Sequence, residues 1–241
     1  MGGGLTAARP DSTISRMALL HRAELRPSKL ELLAGWLPGR QWFAGEAGAP
    51  VSRVAAYRFD DPAGEVGVET LLVRAGDGPV LQVPLTYRGA PLAGADEHLV
   101  GVIEHSVLGR RWAYDACGDP VYPPLLAAAV LADAGQAQEY FKVDGKREAR
   151  PASMTLTGSR TGRPVPTGPV SVGSAGPALA GPVDGGAVSA GPVAGGVTVV
   201  RVGDVELAVV RRPVPADVPA AGGLAGAWPG QDEPVLLAYA R

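Results

Sequence analysis

From residue 51 onward the chain alternates apolar and polar side chains with a period of two, in short runs separated by turn residues. Residues 51–59, 65–74 and 80–87 each carry the alternation of a strand that buries one face. The breaks between them, Asp61-Pro62-Ala63-Gly64 and Gly76-Asp77-Gly78, are turn chemistry, so the three runs predict an antiparallel meander. Residues 99–106 and 110–115 repeat the pattern around Leu108-Gly109. Upstream the period changes. Leu30, Leu32, Leu33, Trp36 and Leu37 fall near helical spacing, with Ser28 placed to cap the helix and Pro38-Gly39 to stop it. Residues 17–25 read as an edge strand, and residues 120–131 as a second helix whose leucines and alanines lie on the sheet.

Beyond Gln136 the character shifts. Residues 153–159, 197–202, 205–210 and 234–240 are strand-like, and Gly203-Asp204 is a two-residue hairpin signal between the middle two. Between them, residues 164–196 hold nine glycines, six prolines and a single charge, Asp184. A segment with so few side chains to bury does not offset its own ordering entropy, and disorder is expected. The expected organisation is a disordered tail at 1–16, an α+β domain at 17–136, strands from 137–163 and 197–241 completing that domain, and a disordered Gly/Pro/Ala-rich insertion at 164–196.

Composition narrows the function classes. Hydrophobic residues make up 46% of 241, enough for a core, yet no apolar run approaches the roughly 20 residues of a membrane helix. A soluble protein with no membrane partner is expected. The formal net charge of −2, with scattered basic residues, lacks the electrostatic footprint of a nucleic-acid binder. The lone Cys117 forms no internal disulfide and the first residues lack a secretory pattern, which together indicate the cytoplasm. Abundant alanine, glycine and proline, with many arginines against Lys29, Lys142 and Lys146, read as a GC-rich bacterial genome.

Candidate chemistry is sparse. The chain has no asparagine, and protein-kinase-like phosphoryl transfer needs one to hold magnesium. Neither a G-x-x-x-x-G-K-[ST] loop nor a G-x-G-x-x-G turn between strand and helix is present, and the serines near glycine form no nucleophile elbow. His21, His98 and His105 show no paired ligand spacing. No catalytic residue, cofactor or metal is therefore assigned. Glu65 and Glu69 on an ideal strand lie about 13 Å apart, outside the range of a glycosidase pair. Glu69 is expected to pair with an arginine on a neighbouring strand, Arg88 being the natural candidate. The strands at 83–88 and 104–115 concentrate Tyr87, Arg88, His105, Arg111 and Tyr114, a candidate interaction surface of arginine and aromatic residues. A salt-bridged solvent face is the competing explanation. Trp42, Phe43, Glu69 and Asp115 are expected structural anchors.

Four blocks carry a family resemblance: GRQWFAG at 39–45, DDPAGEVGVETLLV at 60–73, VPLTYRGAPL at 83–92 and EHSVLGRRWAYDACGDPVY at 104–122. Together they resemble the N-terminal cap domain of actinobacterial maltokinases, over about residues 25–136. That resemblance implies a curved antiparallel sheet with a few helices packed on it, α+β in class; the C-terminal hairpin strands read from the residues have no counterpart in the family and are expected to extend that sheet. Maltokinases use ATP to make maltose 1-phosphate for α-glucan synthesis, but neither kinase lobe has a counterpart here, so no sugar or ATP contact carries over. Two readings stay open. One is a non-catalytic cap-like module that binds a protein, a carbohydrate of α-glucan metabolism or a second copy of itself. The other is an enzyme of transferase or branching type with a site on the sheet.

Overall fold

The computed structural model describes residues 17–20, 24–143, 146–172, 196–219 and 221–241. The expected tail at 1–16 and residues 173–195 of the glycine-proline segment lie outside the described residues.

Helix α1 (Lys29–Trp36) starts on a capping box: Ser28 Oγ accepts the Glu31 N–H at 3.2 Å, and Glu31 Oε2 accepts the Ser28 N–H at 2.7 Å. It ends in a short 3-10 turn (Leu37–Gly39) at Pro38. The expected edge strand at 17–25 is divided. Strand β1 (Met17–Leu20) belongs to a small separate sheet, whereas β2 (Leu25–Arg26) joins the meander. Strands β3 (Val51–Asp60), β4 (Gly67–Ala75), β5 (Leu81–Arg88), β6 (Leu99–His105) and β7 (Gly109–Asp115) complete a six-stranded antiparallel sheet of order β2-β6-β7-β5-β4-β3.

Helix α2 (Tyr122–Ala132) carries proline in its first turn, where no N–H is needed, and stops at Asp133 in the left-handed region (φ 52°). Strands β8 (Gln138–Val143) and β9 (Lys146–Ala149) form the small sheet, with β1 parallel to β8. Then follow β10 (Thr155–Gly158), β11 (Val170–Val172), β12 (Val197–Val202), β13 (Val205–Val210), β14 (Gly223–Trp228) and β15 (Gln231–Ala240). They build a second six-stranded antiparallel sheet of order β10-β14-β15-β13-β12-β11. The expected α+β class needs correcting, because the fold is mostly β, with two α-helices among the described residues. The C-terminal strands make a sheet of their own rather than a hairpin extension. Strands β8, β9, β11 and β14 match none of the strand-like runs of the sequence.

Period two sorts the first sheet into two faces. Leu71 and Val73 of β4 and Leu81, Val83 and Leu85 of β5 pack with Leu33, Trp36, Leu37 and Trp42 under α1. Val68 and Leu72 join Tyr57 and Phe59 on the other face, against α2 and the second sheet's Val200, Leu207, Val209 and Leu237. Gln82 is the polar tie across that core. Its amide donates to the Val210 and Leu237 carbonyls at 3.0 and 2.8 Å, its Oε1 accepts the Tyr57 hydroxyl at 3.3 Å, and its backbone N–H donates to the Arg211 carbonyl at 2.8 Å. Buried amides persist only when satisfied in this way, so Gln82 fixes how the two sheets meet.

Candidate functional site

The five residues expected on one recognition surface do not share a face. Tyr87 opposes Ala113 and Arg88 opposes Trp112, so alternation sends Tyr87, Arg111 and His105 to one side and Arg88 and Tyr114 to the other. Tyr114 is 1% exposed, and its hydroxyl accepts the Leu92 N–H at 2.8 Å, which pins the loop after β5. It is unavailable to a partner. His105 is half-buried at the end of β6, where its Nδ1 accepts two turn N–H groups. Arg111 is half-buried with its guanidinium against Gly89, and it makes no ion pair among the described residues.

The predicted pairing of Glu69 with Arg88 also fails, because the two side chains point to opposite faces. Glu69, 6% exposed, is met by Lys29 Nζ, by Arg58 Nη1 at 3.8 Å and by the Tyr87 hydroxyl, which donates at 3.1 Å. Lys29 also lies 4.9 Å from the centre of the Tyr87 ring. Burial on its own pushes the Glu69 carboxyl up, but the Lys29 and Arg58 charges, with the hydrogen bonds from Lys29 and Tyr87, outweigh it and hold the group at about 2.

Arg88 instead clamps Asp119. Nε and Nη2 each donate at 2.7 Å to the two carboxylate oxygens, and the Thr86 hydroxyl donates to Oδ2 at 2.7 Å. Asp119 is fully buried and also accepts the Val121 N–H at 3.1 Å, so it anchors the chain just ahead of α2. Burial pushes its carboxyl up, yet the bonds from Arg88, Thr86 and Val121 prevail and keep it below the ordinary carboxylate range.

At the seam between the sheets Arg211, 1% exposed, donates from Nη2 to Asp115 Oδ2 at 2.7 Å and from Nε to Thr198 Oγ1 at 2.8 Å. Its guanidinium lies 4.8 Å from the centre of the Trp42 ring, which stands edge-on to Trp36 at 5.8 Å. Asp115 Oδ1 meanwhile accepts the Cys117 N–H at 3.1 Å. Phe43 packs half-buried beside this aromatic pair, against Gly45. Burial, the leading influence on Cys117, pushes its thiol far above the usual range, which leaves no thiolate for chemistry.

Lys29, Gln82, Asp119 and Arg211 are the polar residues that sequence reasoning missed. Parity was the available signal for two of them. Arg211 continues the inward register of Val205, Leu207 and Val209, and Gln82 that of the face carrying Thr86. The surface offers one concavity of about 330 Å³, bordered by Phe59, Asp60, Pro62, Pro124, Leu125 and Gln138. A smaller polar one of about 50 Å³ lies beside Arg58, Glu139, Arg150 and Ser153. Among the described residues no group of three or more His, Cys, Asp or Glu is placed to hold a metal ion, and no helix is long and apolar enough to cross a membrane.

The aromatic pair at one end and the Arg88–Asp119 clamp at the other bound a stretch that comparison with known families identifies. Residues 36–119 match the maltokinase N-terminal cap domain. This cap-like region covers about a third of the 241 residues and runs from Trp36, through β3 to β7, to the clamped Asp119. No curated protein matches the chain. Three of the four blocks read from the sequence lie inside the cap-like region, and the fourth, at 104–122, runs three residues past its end. The buried partners Thr198 and Arg211 come from outside it.

Proposed function

We propose that the chain is a non-catalytic, cap-like binding or regulatory module of bacterial α-glucan or maltose 1-phosphate metabolism. The observation that carries this is the use of the carboxylates within the cap-like region. Glu69, Asp115 and Asp119 are each held by an arginine or lysine together with further donors, and Glu69 sits at about 2. A general acid or base works best with a pKa near the working pH. Glu69 and Asp119 are held below the ordinary range, while the Asp115 carboxylate is occupied by Arg211 and the Cys117 N–H, so these groups serve architecture. The link to α-glucan metabolism rests on the family match at 36–119.

Arg111 is the residue of the candidate surface best suited to a partner. It is half-buried, lies among Tyr87 and His105 on one face, and has no ion pair to give up among the described residues. Immobilised wild-type protein and the Arg111→Ala variant, exposed to extract of the native bacterium, test the reading. Wild type is expected to retain an enzyme of maltose 1-phosphate or α-glucan metabolism, and the variant to retain much less. Retention of unrelated proteins only, or equal retention by both, overturns it.

A transferase or branching enzyme remains the second reading, supported by the concavity beside Asp60. It predicts product formation from maltose 1-phosphate or α-glucan oligosaccharides that is abolished in Asp60→Asn.

A further inference from the structure

Arg58 sits in the middle of a row of alternating charges, Lys29, Glu69, Arg58, Glu139 and Arg150. The two carboxylates are engaged from the outer ends of the row. Lys29 and the Tyr87 hydroxyl bond Glu69, and Arg150 Nη1 donates to Glu139 Oε2 at 3.2 Å. Arg58 stands 3.8 Å from an oxygen of each, beyond hydrogen-bond reach. Its Nε is buried without a partner, and its guanidinium donates to no side chain or carbonyl among the described residues. Three cations against two carboxylates leave this row one positive charge in surplus, and Arg58 is the member that carries no hydrogen bond.

The same guanidinium borders the concavity of about 50 Å³ between the edge of β3 and the segments that lead into β8 and away from β9. The walls are tied down by bonds of their own. Ser153 Oγ accepts the Ala56 N–H and donates to the Ala56 carbonyl, both at 2.9 Å, and the Ala137 N–H donates to the Arg58 carbonyl at 2.9 Å. Gln136 Nε2 donates to the Met154 carbonyl at 2.9 Å, and Gln138 Nε2 to the Glu139 and Arg150 carbonyls at 3.3 Å. Such a wall needs no ordering when a ligand enters. One water-sized group takes about 10–15 Å³, so the space admits about three or four non-hydrogen atoms. That excludes a sugar ring and suits a carboxylate, whose planar pair of oxygens matches the guanidinium fork. The Arg58 side chain is 16% exposed, so its charge is screened less than that of a surface arginine.

We propose that this concavity is a binding site for a small carboxylate of acetate size, held by Arg58, with the ligand's charge balancing the row. Glu139 opposes entry as a like charge, and its bond to Arg150 limits that opposition. The assignment is independent of the proposed function.

Acetate and acetamide, alike in size and different in charge, are titrated into the whole protein at constant ionic strength while NMR observes the Arg58 Nε–H and the backbone amides of Ala137 and Gln138. Acetate is expected to give saturable shifts at these groups, with acetamide at least about tenfold weaker, the scale of one hydrogen bond to a charged group. Arg58→Gln should weaken acetate by a similar factor. Glu139→Gln removes the like charge and should tighten acetate about two- to fivefold, the scale of one partly screened charge. A purely structural Arg58 would produce no such tightening. Equal response to acetate and acetamide, shifts that never saturate because acetate is an adventitious ion only, or no gain in Glu139→Gln overturns the proposal. The acetamide and Glu139→Gln measurements decide it even if Arg58→Gln folds poorly.

Discussion

Two buried ion clusters of similar composition do different work in this molecule. Glu69 is shared among Lys29, Arg58 and the Tyr87 hydroxyl, and its lysine is 27% exposed at the side chain, so solvent reaches the edge of the group. Asp115 faces Arg211 almost alone, with Thr198 and the Trp42 ring completing a dry shell in which the arginine is 1% exposed. The first cluster holds α1 to the sheet beneath it and has partners to spare. The second ties the cap-like region to the C-terminal sheet across 96 positions of sequence, with the Cys117 N–H as the carboxylate's other donor and no second cation to share it among the described residues. Redundancy and water access, rather than the number of charges, set what each contributes.

Breaking the seam should therefore have the largest effect. Arg211→Met leaves Asp115 buried and uncompensated, and a loss of about 3–5 kcal/mol is expected in urea unfolding. The double variant Arg211→Met with Asp115→Leu should recover much of that loss, because removing both charges also removes the desolvation cost. Trp42→Ala belongs in the same class: it empties a site that is 6% exposed and strips the guanidinium of its ring, for about 3–5 kcal/mol. Should Trp42→Ala melt like wild type yet fail to retain a partner, its role is in recognition and the seam is held by the ion pair alone.

The Glu69 cluster differs through its pH dependence. The carboxyl is held at about 2 against an ordinary value of 4.5, so the folded state binds its proton more weakly than the unfolded chain does. Its contribution, roughly 3 kcal/mol, is fully present above pH 4.5 and is lost as pH falls toward 2. Glu69→Gln should accordingly be less stable than wild type at pH 7, with the gap closing across that window. A gap that stays constant down to pH 2 would mean that the loss comes from packing and not from charge.

What could be read from the sequence was local. The helix cap at Ser28, the turns at Asp61-Pro62 and Gly203-Asp204, and the alternation of β3 to β5 are each written within a few residues, and the structure has them. Strand β14 escaped notice because its run GLAGAW has no β-branched residue. Its Gly226 is there for closeness, since a Cβ would come within 2.6 Å of Met154 and 2.7 Å of Leu237. The expected partner of Glu69 fails for a different reason. Arg88 is near in the sheet but on the wrong face, while Lys29 reaches the carboxylate from a helix 40 residues away. Periodicity predicts faces well, and it says nothing about which remote element covers a face.

The smallest effect on stability should come from Arg111, and the contrast with Arg88 isolates what a candidate interface residue ought to do. Both arginines are half-buried at the same end of the first sheet, on opposite faces. Arg88→Ala removes a bidentate clamp from Asp119, which is fully buried, and should cost about 2–4 kcal/mol through the stranded carboxylate. Arg111→Ala removes no ion pair found among the described residues and should change stability by no more than about 0.5 kcal/mol. Thermal melts of the two single variants make the comparison, and the partner-retention assay supplies the second axis. A stable Arg111→Ala protein that no longer holds its partner assigns this arginine to recognition, where a charged group counts for more than it does in folding. Destabilisation equal to that of Arg88→Ala would make Arg111 a packing residue of the Gly89 turn and remove it from the interface.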